Sequence, residues 1–138
     1  MKPAPQRGLL YLDSSAIVKL IASEAQTQAL FEYLGSSGPA VTSTLARVEV
    51  MRAIQRVGDD SHAKAKAQVT FDRIAQIRID ESILLRASTL EPAALCTLDA
   101  IHLATALSLD DHLEALVAYD RRLAEAAELL GIAVVSPN

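Results

Sequence analysis

Leu9-Leu10-Tyr11-Leu12-Asp13-Ser14-Ser15-Ala16-Ile17-Val18-Lys19-Leu20 is the stretch on which the fold turns. A short apolar run without alternation stops on an acid and passes into apolar side chains at helical spacing. Such a run is the signature of a strand buried on both faces. Ser14 and Ser15 are placed to cap the helix, which reaches about Ala22. The same unit recurs later. Ala115-Leu116-Val117-Ala118-Tyr119 reads as a strand ending on Asp120, followed by a helix over Arg121–Leu130, a stop at Gly131 and a last strand over Ile132–Val135. Strands that hand directly into helices imply a parallel sheet with helices on both faces.

The segments between follow the same alternation. A helix over Glu24–Leu34 ends at Gly35, and Gly35-Ser36-Ser37-Gly38-Pro39 is turn chemistry. Val41-Thr42 is a short strand, and Ser43 or Thr44 caps a helix through Val57 that Gly58 stops. Asp59-Asp60-Ser61 opens a helix to about Ala75, and Ile77-Arg78-Ile79 alternates as a strand. A helix over Glu81–Leu90 breaks at Glu91-Pro92, and Thr97 caps another over Leu98–Leu109. The expected fold is α/β, with a central, mostly parallel sheet of roughly four to five strands in a single domain over residues 1–138.

Composition narrows the class. The chain is 51% hydrophobic but only 4% aromatic, so its core is built from aliphatic side chains. The single cysteine, Cys96, allows no internal disulfide, which suits a reducing compartment, and is expected as a small core residue. The apolar runs fall short of the roughly 20 residues that cross a bilayer. Met1–Gly8 carries two prolines and two basic residues but no apolar signal segment. The expectation is a soluble cytoplasmic protein without a membrane partner. Thirteen basic and 17 acidic residues, net −4, exclude a uniformly basic nucleic-acid coat and leave only a local basic strip.

The acids carry the chemistry. Asp13 and Asp120 end strands, at the edge where parallel sheets bind ligands. Asp99 falls in a first helical turn, on the same edge. Glu49 interrupts an apolar helix between Val48 and Val50, where an acid needs a partner. Each also has a plainer use. Asp13 and Asp120 can cap the helices after them, Asp99 can complement a helix dipole, and Glu49 can pair with Arg52. Four carboxylates about 6 Å apart repel by about 3 kcal/mol per pair, roughly 15–20 kcal/mol together, at an effective dielectric of about 20. A cluster of that kind must bind cations or hold protons. Oxygen donors select hard ions such as Mg²⁺ or Mn²⁺.

With these residues in view, the chain resembles the PIN-domain family and, within it, the VapC-type toxins of toxin–antitoxin pairs. Tyr11-Leu12-Asp13-Ser14-Ser15-Ala16-Ile17-Val18-Lys19-Leu20 resembles the first acidic motif of that family, and Thr44-Leu45-Ala46-Arg47-Val48-Glu49 the second. Leu98-Asp99-Ala100-Ile101-His102-Leu103-Ala104-Thr105-Ala106 resembles the third and is the most specific. Val117-Ala118-Tyr119-Asp120-Arg121-Arg122-Leu123, followed by Gly131-Ile132, resembles the fourth. The resemblance implies a three-layer α/β/α fold and Mg²⁺- or Mn²⁺-dependent cleavage of RNA by metal-activated water. It implies Asp13, Glu49, Asp99 and Asp120 as metal ligands and Ser14 as a hydrogen-bonding helper. It also implies a cognate antitoxin and a homodimer. Ala118 departs from the pattern, because many relatives carry Thr there.

Other residues divide between two uses. Arg121 and Arg122 beside Asp120, and Arg47 and Arg52 beside Glu49, are candidates to hold RNA phosphate. Arg47, Arg52, Arg56, Lys64, Lys66 and Arg73 also fit a solvated face balanced by Asp59, Asp60 and Asp72. His102, three residues after Asp99, fits a structural hydrogen bond better than a general base. Phe31 and Tyr33 are candidates for an interface. Three rival classes fit less well. A receiver-like Mg²⁺ signalling domain needs paired acids after the first strand and a Lys after the last, but Asp13 is followed by two serines and Ser136-Pro137-Asn138 has no Lys. A two-aspartate phosphatase needs an acid where Ser15 stands. A degenerate PIN domain that only binds RNA or protein sits poorly with four retained acids.

Overall fold

The computed structural model describes residues 7–138, so most of the Met1–Gly8 reading lies outside the described residues. Five strands form one sheet: β1 (Leu9–Leu12), β2 (Ala40–Ser43), β3 (Ala75–Ile77), β4 (Leu113–Val117) and β5 (Val134–Val135). They lie in the order β3-β2-β1-β4-β5, and every pairing is parallel. The helices are α1 (Ser14–Ile21), α2 (Thr27–Ser36), α3 (Leu45–Arg56), α4 (Ser61–Asp72), α5 (Glu81–Thr89), α6 (Thr97–Leu107) and α7 (Arg121–Leu129).

The unbroken apolar run of β1 has a direct cause. Successive side chains leave a strand on opposite faces, and both faces here are covered. Leu10 and Leu12 meet Ile17 and Leu20 of α1, Leu30 of α2, Val50 and Ile54 of α3 and Phe71 of α4. Tyr11 faces the other way, into Leu103 and Ala106 of α6 and Leu123, Ala126 and Ala127 of α7. Leu10, Tyr11 and Leu12 are all 0% exposed, which is why no polar residue alternates with them. Truncating Leu10 to Ala removes about 2–5 kcal/mol, at or near the scale of a whole domain's stability. α5 packs outside, against α6.

From β1 the chain runs outward to β2 and β3, then crosses to β4 on the other side of β1. The crevice beyond the carboxyl ends of β1 and β4 is therefore the topological switch point, where open α/β sheets bind ligands. Asp13 N–H donates to Val117 O at 3.2 Å and Thr42 Oγ1 to Leu12 O at 2.6 Å, tying the three central strand ends together.

Several element boundaries differ from expectation. α1 is capped by Asp13, whose Oδ1 accepts from Ala16 N at 3.1 Å, rather than by Ser14 or Ser15. α2 starts at Thr27 because Thr27 Oγ1 bonds Glu24 N, Lys19 O and Ala22 O, folding the preceding residues into a turn. It runs through Gly35 to Ser36. Gly58 (φ 118°) and Gly131 (φ 80°) do end their helices in the left-handed region. β3 lies two residues before Ile77–Ile79. β4 ends at Val117 because Tyr119 N–H turns away to Ser15 Oγ at 2.9 Å. Ile132 N–H closes onto Ala127 O at 3.0 Å, which shortens β5. Cys96 is exposed rather than buried, and it, not Thr97, precedes α6 as its cap residue. No helix among the described residues is long and apolar enough to cross a membrane.

Candidate active site

Asp13 follows β1 at the crevice and is 4% exposed. Its Oδ1 accepts from Ser15 Oγ at 2.6 Å and Ala16 N at 3.1 Å. Burial pushes its carboxyl up to about 6, the Ser15 and Ala16 hydrogen bonds oppose this, and the charge of Asp120 adds to it. Asp120 caps α7, its Oδ1 accepting from Arg122 N at 2.9 Å and Leu123 N at 3.2 Å. Both acids thus cap a helix with one oxygen and leave the other without a hydrogen bond among the described residues.

Glu49 projects from α3 and pairs with His102 and Ser14, not with Arg52. Its Oε1 accepts from Ser14 Oγ at 2.5 Å and from His102 Nε2 at 2.5 Å. Ser14 Oγ lies a longer 3.4 Å from the same ring nitrogen. Burial pushes the Glu49 carboxyl up, but the hydrogen bonds from His102 and Ser14 outweigh it and hold the carboxyl below its ordinary value. Asp99, in the first turn of α6, is raised by burial and then by the charges of Asp120 and Glu49, with His102 and Arg122 offsetting part. Like-charge repulsion of this kind marks acids that share one space.

That space is a cavity of about 540 Å³. Glu49, Asp99 and Asp120 line it, with Arg122, Glu125 and Leu98. Asp13 does not line it, but the charge of Asp120, which does, acts on the Asp13 carboxyl. Ser14 reaches the cavity through Glu49. Arg122 stands on its wall, whereas Arg121 does not. Arg47 and Arg52 line a separate depression of about 610 Å³ with Lys64 and Met51. Of the residues singled out in the sequence, Glu49, Asp99, Asp120 and Arg122 thus meet at one cavity, whereas Arg47 and Arg52 line another. Sequence reasoning missed Glu125, which the helical spacing from Arg122 at i+3 signals. It also missed Ser15, whose hydroxyl joins Asp13 to Tyr119 N. Ala118 is fully buried in the second core cluster, so its position offers no hydroxyl.

Among the described residues, no three Asp, Glu, His or Cys side chains are grouped so that they alone would hold a metal ion. The donor set fits an open site instead. Asp13, Glu49 and Asp120 each take all their hydrogen bonds on one oxygen. No fully enclosed side-chain oxygen among the described residues lacks a partner, so the second oxygen of Asp13 reaches solvent. Mg²⁺ is commonly held by one or two carboxylates plus waters and substrate phosphate rather than by an all-protein cage.

A three-layer α/β fold with acids converging on the switch point defines the class, and comparison with known proteins agrees. The PIN domain family profile matches residues 10–129. The chain is 45% identical over 129 residues to Ribonuclease VapC46 of Mycobacterium tuberculosis, covering 94% of this chain and 98% of that protein. It is 38% identical to Ribonuclease VapC47 of Mycobacterium tuberculosis, with the same coverage. Among solved structures, VapC20 of Mycobacterium tuberculosis, described as a Sarcin-Ricin loop cleaving toxin, superposes with a TM-score of 0.72 at 16% identity, covering 93% of this chain and 99% of that one. A toxin–antitoxin complex from Klebsiella pneumoniae gives 0.71 at 22% identity, covering 94% and 98%. The chain belongs to the PIN-domain family, in its VapC branch.

Proposed function

We propose that the chain is a divalent-metal-dependent endoribonuclease, the toxin of a toxin–antitoxin pair, working as a single catalytic unit. The observation that carries this reading is the shared cavity of Glu49, Asp99 and Asp120, coupled to Asp13, in a chain so similar to named ribonucleases. Mg²⁺ or Mn²⁺ is the cation, and Asp13, Glu49, Asp99 and Asp120 hold it through their free oxygens or through water. When bound, the ion supplies Lewis acidity to the phosphodiester and to the attacking water.

The chain's own residues do the rest. Arg122 draws an RNA phosphate onto the cavity wall and offsets the acids there. Arg121, exposed beside it, extends that contact. Arg47 and Arg52, with Lys64, hold the RNA backbone outside the cavity. Ser14 orients Glu49. Asp99, on the cavity wall, orients the attacking water, whose proton passes to solvent. The water oxygen bonds phosphorus as the P–O3′ bond breaks, and the departing 3′ oxygen takes a proton from solvent. The products are a 5′-phosphate and a 3′-hydroxyl.

The partner is an antitoxin. Structures similar in fold include VapBC2 of Rickettsia felis and VapBC-1 of Haemophilus influenzae, besides the Klebsiella complex. The acidic cavity is a receptor for a basic side chain from such a partner. The toxin itself is a homodimer, and half-exposed Phe31 is a candidate for an interface. Particle mass across a wide concentration range tests this, and monomer throughout contradicts it. The activity is tested by incubating total RNA with Mg²⁺ or Mn²⁺, with Asp13→Asn as control and the cut ends mapped. Cleavage that excess chelator abolishes and that Asp13→Asn lacks is expected. Equal cleavage with chelator overturns the proposal.

A further inference from the structure

We propose that His102 is a positioning residue: held through Nδ1 by Tyr11, it fixes one oxygen of Glu49 through Nε2 and leaves the other for the cation. This rests on the reading of Glu49 as a metal ligand. The Tyr11 hydroxyl lies 2.7 Å from His102 Nδ1, and His102 Nε2 lies 2.5 Å from Glu49 Oε1. A carboxylate only accepts, so Nε2 carries the hydrogen of that bond. In the neutral imidazole Nδ1 is then the acceptor, and the Tyr11 hydroxyl donates to it. Two bonds from two directions select one tautomer and one ring orientation.

The three residues come from three elements, β1, α6 and α3, so the chain of bonds ties the sheet to helices on both of its faces. Tyr11 is 0% and His102 2% exposed, which keeps water from replacing either partner. The Tyr11 ring meets the imidazole edge-on, at 75° with centroids 5.8 Å apart, and so fixes its plane as well. Ser14 adds a second donor to the same Glu49 oxygen. Oε2 receives no hydrogen bond among the described residues, on a side chain that lines the cavity. Donors converging on one oxygen and sparing the other orient the acid toward what fills the cavity.

The test combines calorimetric titration of Mn²⁺ into the full-length, metal-free protein with nitrogen-15 NMR of the imidazole before Mn²⁺ is added. His102 protonated on Nε2, with Nδ1 as an acceptor, is expected in the wild type. His102→Ala weakens Mn²⁺ binding by about 10–100-fold, the usual effect of losing a partner of a metal-binding side chain. His102→Gln, whose amide takes the place of Nε2–H, recovers most of it. Tyr11→Phe removes only a hydroxyl, mixes the tautomers in the spectrum and also weakens Mn²⁺ binding. If His102→Ala does not fold, Tyr11→Phe and the wild-type spectrum decide. Protonation on Nδ1 alone in the wild type overturns the positioning role. So does unchanged Mn²⁺ affinity in Tyr11→Phe and His102→Ala while Glu49→Gln weakens it, and Glu49 then stands as a ligand without His102. Unchanged affinity in Glu49→Gln overturns the ligand reading itself.

Discussion

Asp13 is buried, yet it is proposed to work as an anion. In the metal-free protein its carboxyl is raised to about 6, so the folded state holds its proton more tightly than the unfolded chain. Its contribution to stability is present below about pH 4 and is lost as pH rises through 6. Asp13→Asn keeps an oxygen for the Ser15 and Ala16 hydrogen bonds but cannot ionise. Without metal, the variant should melt higher than wild type at pH 7.5, by up to about 3 kcal/mol of stability. The advantage should shrink to nothing near pH 4. Melting temperature against pH in chelator checks this, and an Asn variant no more stable at pH 7.5 contradicts it. Glu49 has the opposite sign. Its carboxyl is held below its ordinary value, so its contribution is present at neutral pH and is lost as pH falls through its folded value. Single residues were also where sequence reading was weakest. The positions of Asp13, Glu49, Asp99 and Asp120 were legible because each breaks or ends an apolar pattern. A structural hydrogen bond at His102 was legible too, but its partners Tyr11 and Glu49, and the role of Ser15, were not, because these bonds join residues as far as 104 positions apart in the chain.

At the scale of elements, helix starts were legible in type and off in detail. Asp13 ends β1 and caps α1, and Asp120 caps α7, so acids at these joints serve fold and site at once. The two roles of Asp120 can be separated. Asp120→Ser keeps a capping oxygen and should hold stability within a few tenths of a kcal/mol, whereas Asp120→Ala should lose about 1 kcal/mol. Both should lose RNA cleavage. Urea midpoints and cleavage rates measured side by side check this, and full cleavage by the Ser variant contradicts the ligand role. Ser15 joins β1 to β4 by donating to Asp13 and accepting from Tyr119 N. Ser15→Ala leaves a backbone N–H without its partner and should lower stability by about 1–3 kcal/mol and slow cleavage. The end of β4 escaped sequence reading for the same reason, since the apolar run continues past the point where Tyr119 N–H leaves the sheet.

For the whole molecule, the layered α/β fold was written in β1, because only a strand covered on both faces carries that run of apolar residues. Strand order was not, since no local pattern states that β4 returns beside β1. The charge map was legible only in part. The chain is net acidic, yet Arg122 stands in the acidic cavity and Arg47 and Arg52 in a second depression. Arg122→Ala should lower kcat and reduce the salt dependence of cleavage by about one counterion. Arg47→Ala with Arg52→Ala should act mainly on KM. Cleavage rates across a salt series separate the two, and a salt slope that no Arg variant changes contradicts phosphate binding by these residues.

Anomalous diffraction from crystals soaked in Mn²⁺ addresses the convergence of the acids most directly. A Mn²⁺ peak beyond the carboxyl ends of β1 and β4, bonded directly or through water to Glu49, Asp99, Asp120 and the free oxygen of Asp13, is the expected result. A well-occupied peak elsewhere, with that crevice empty in a protein that still cleaves RNA, would contradict it.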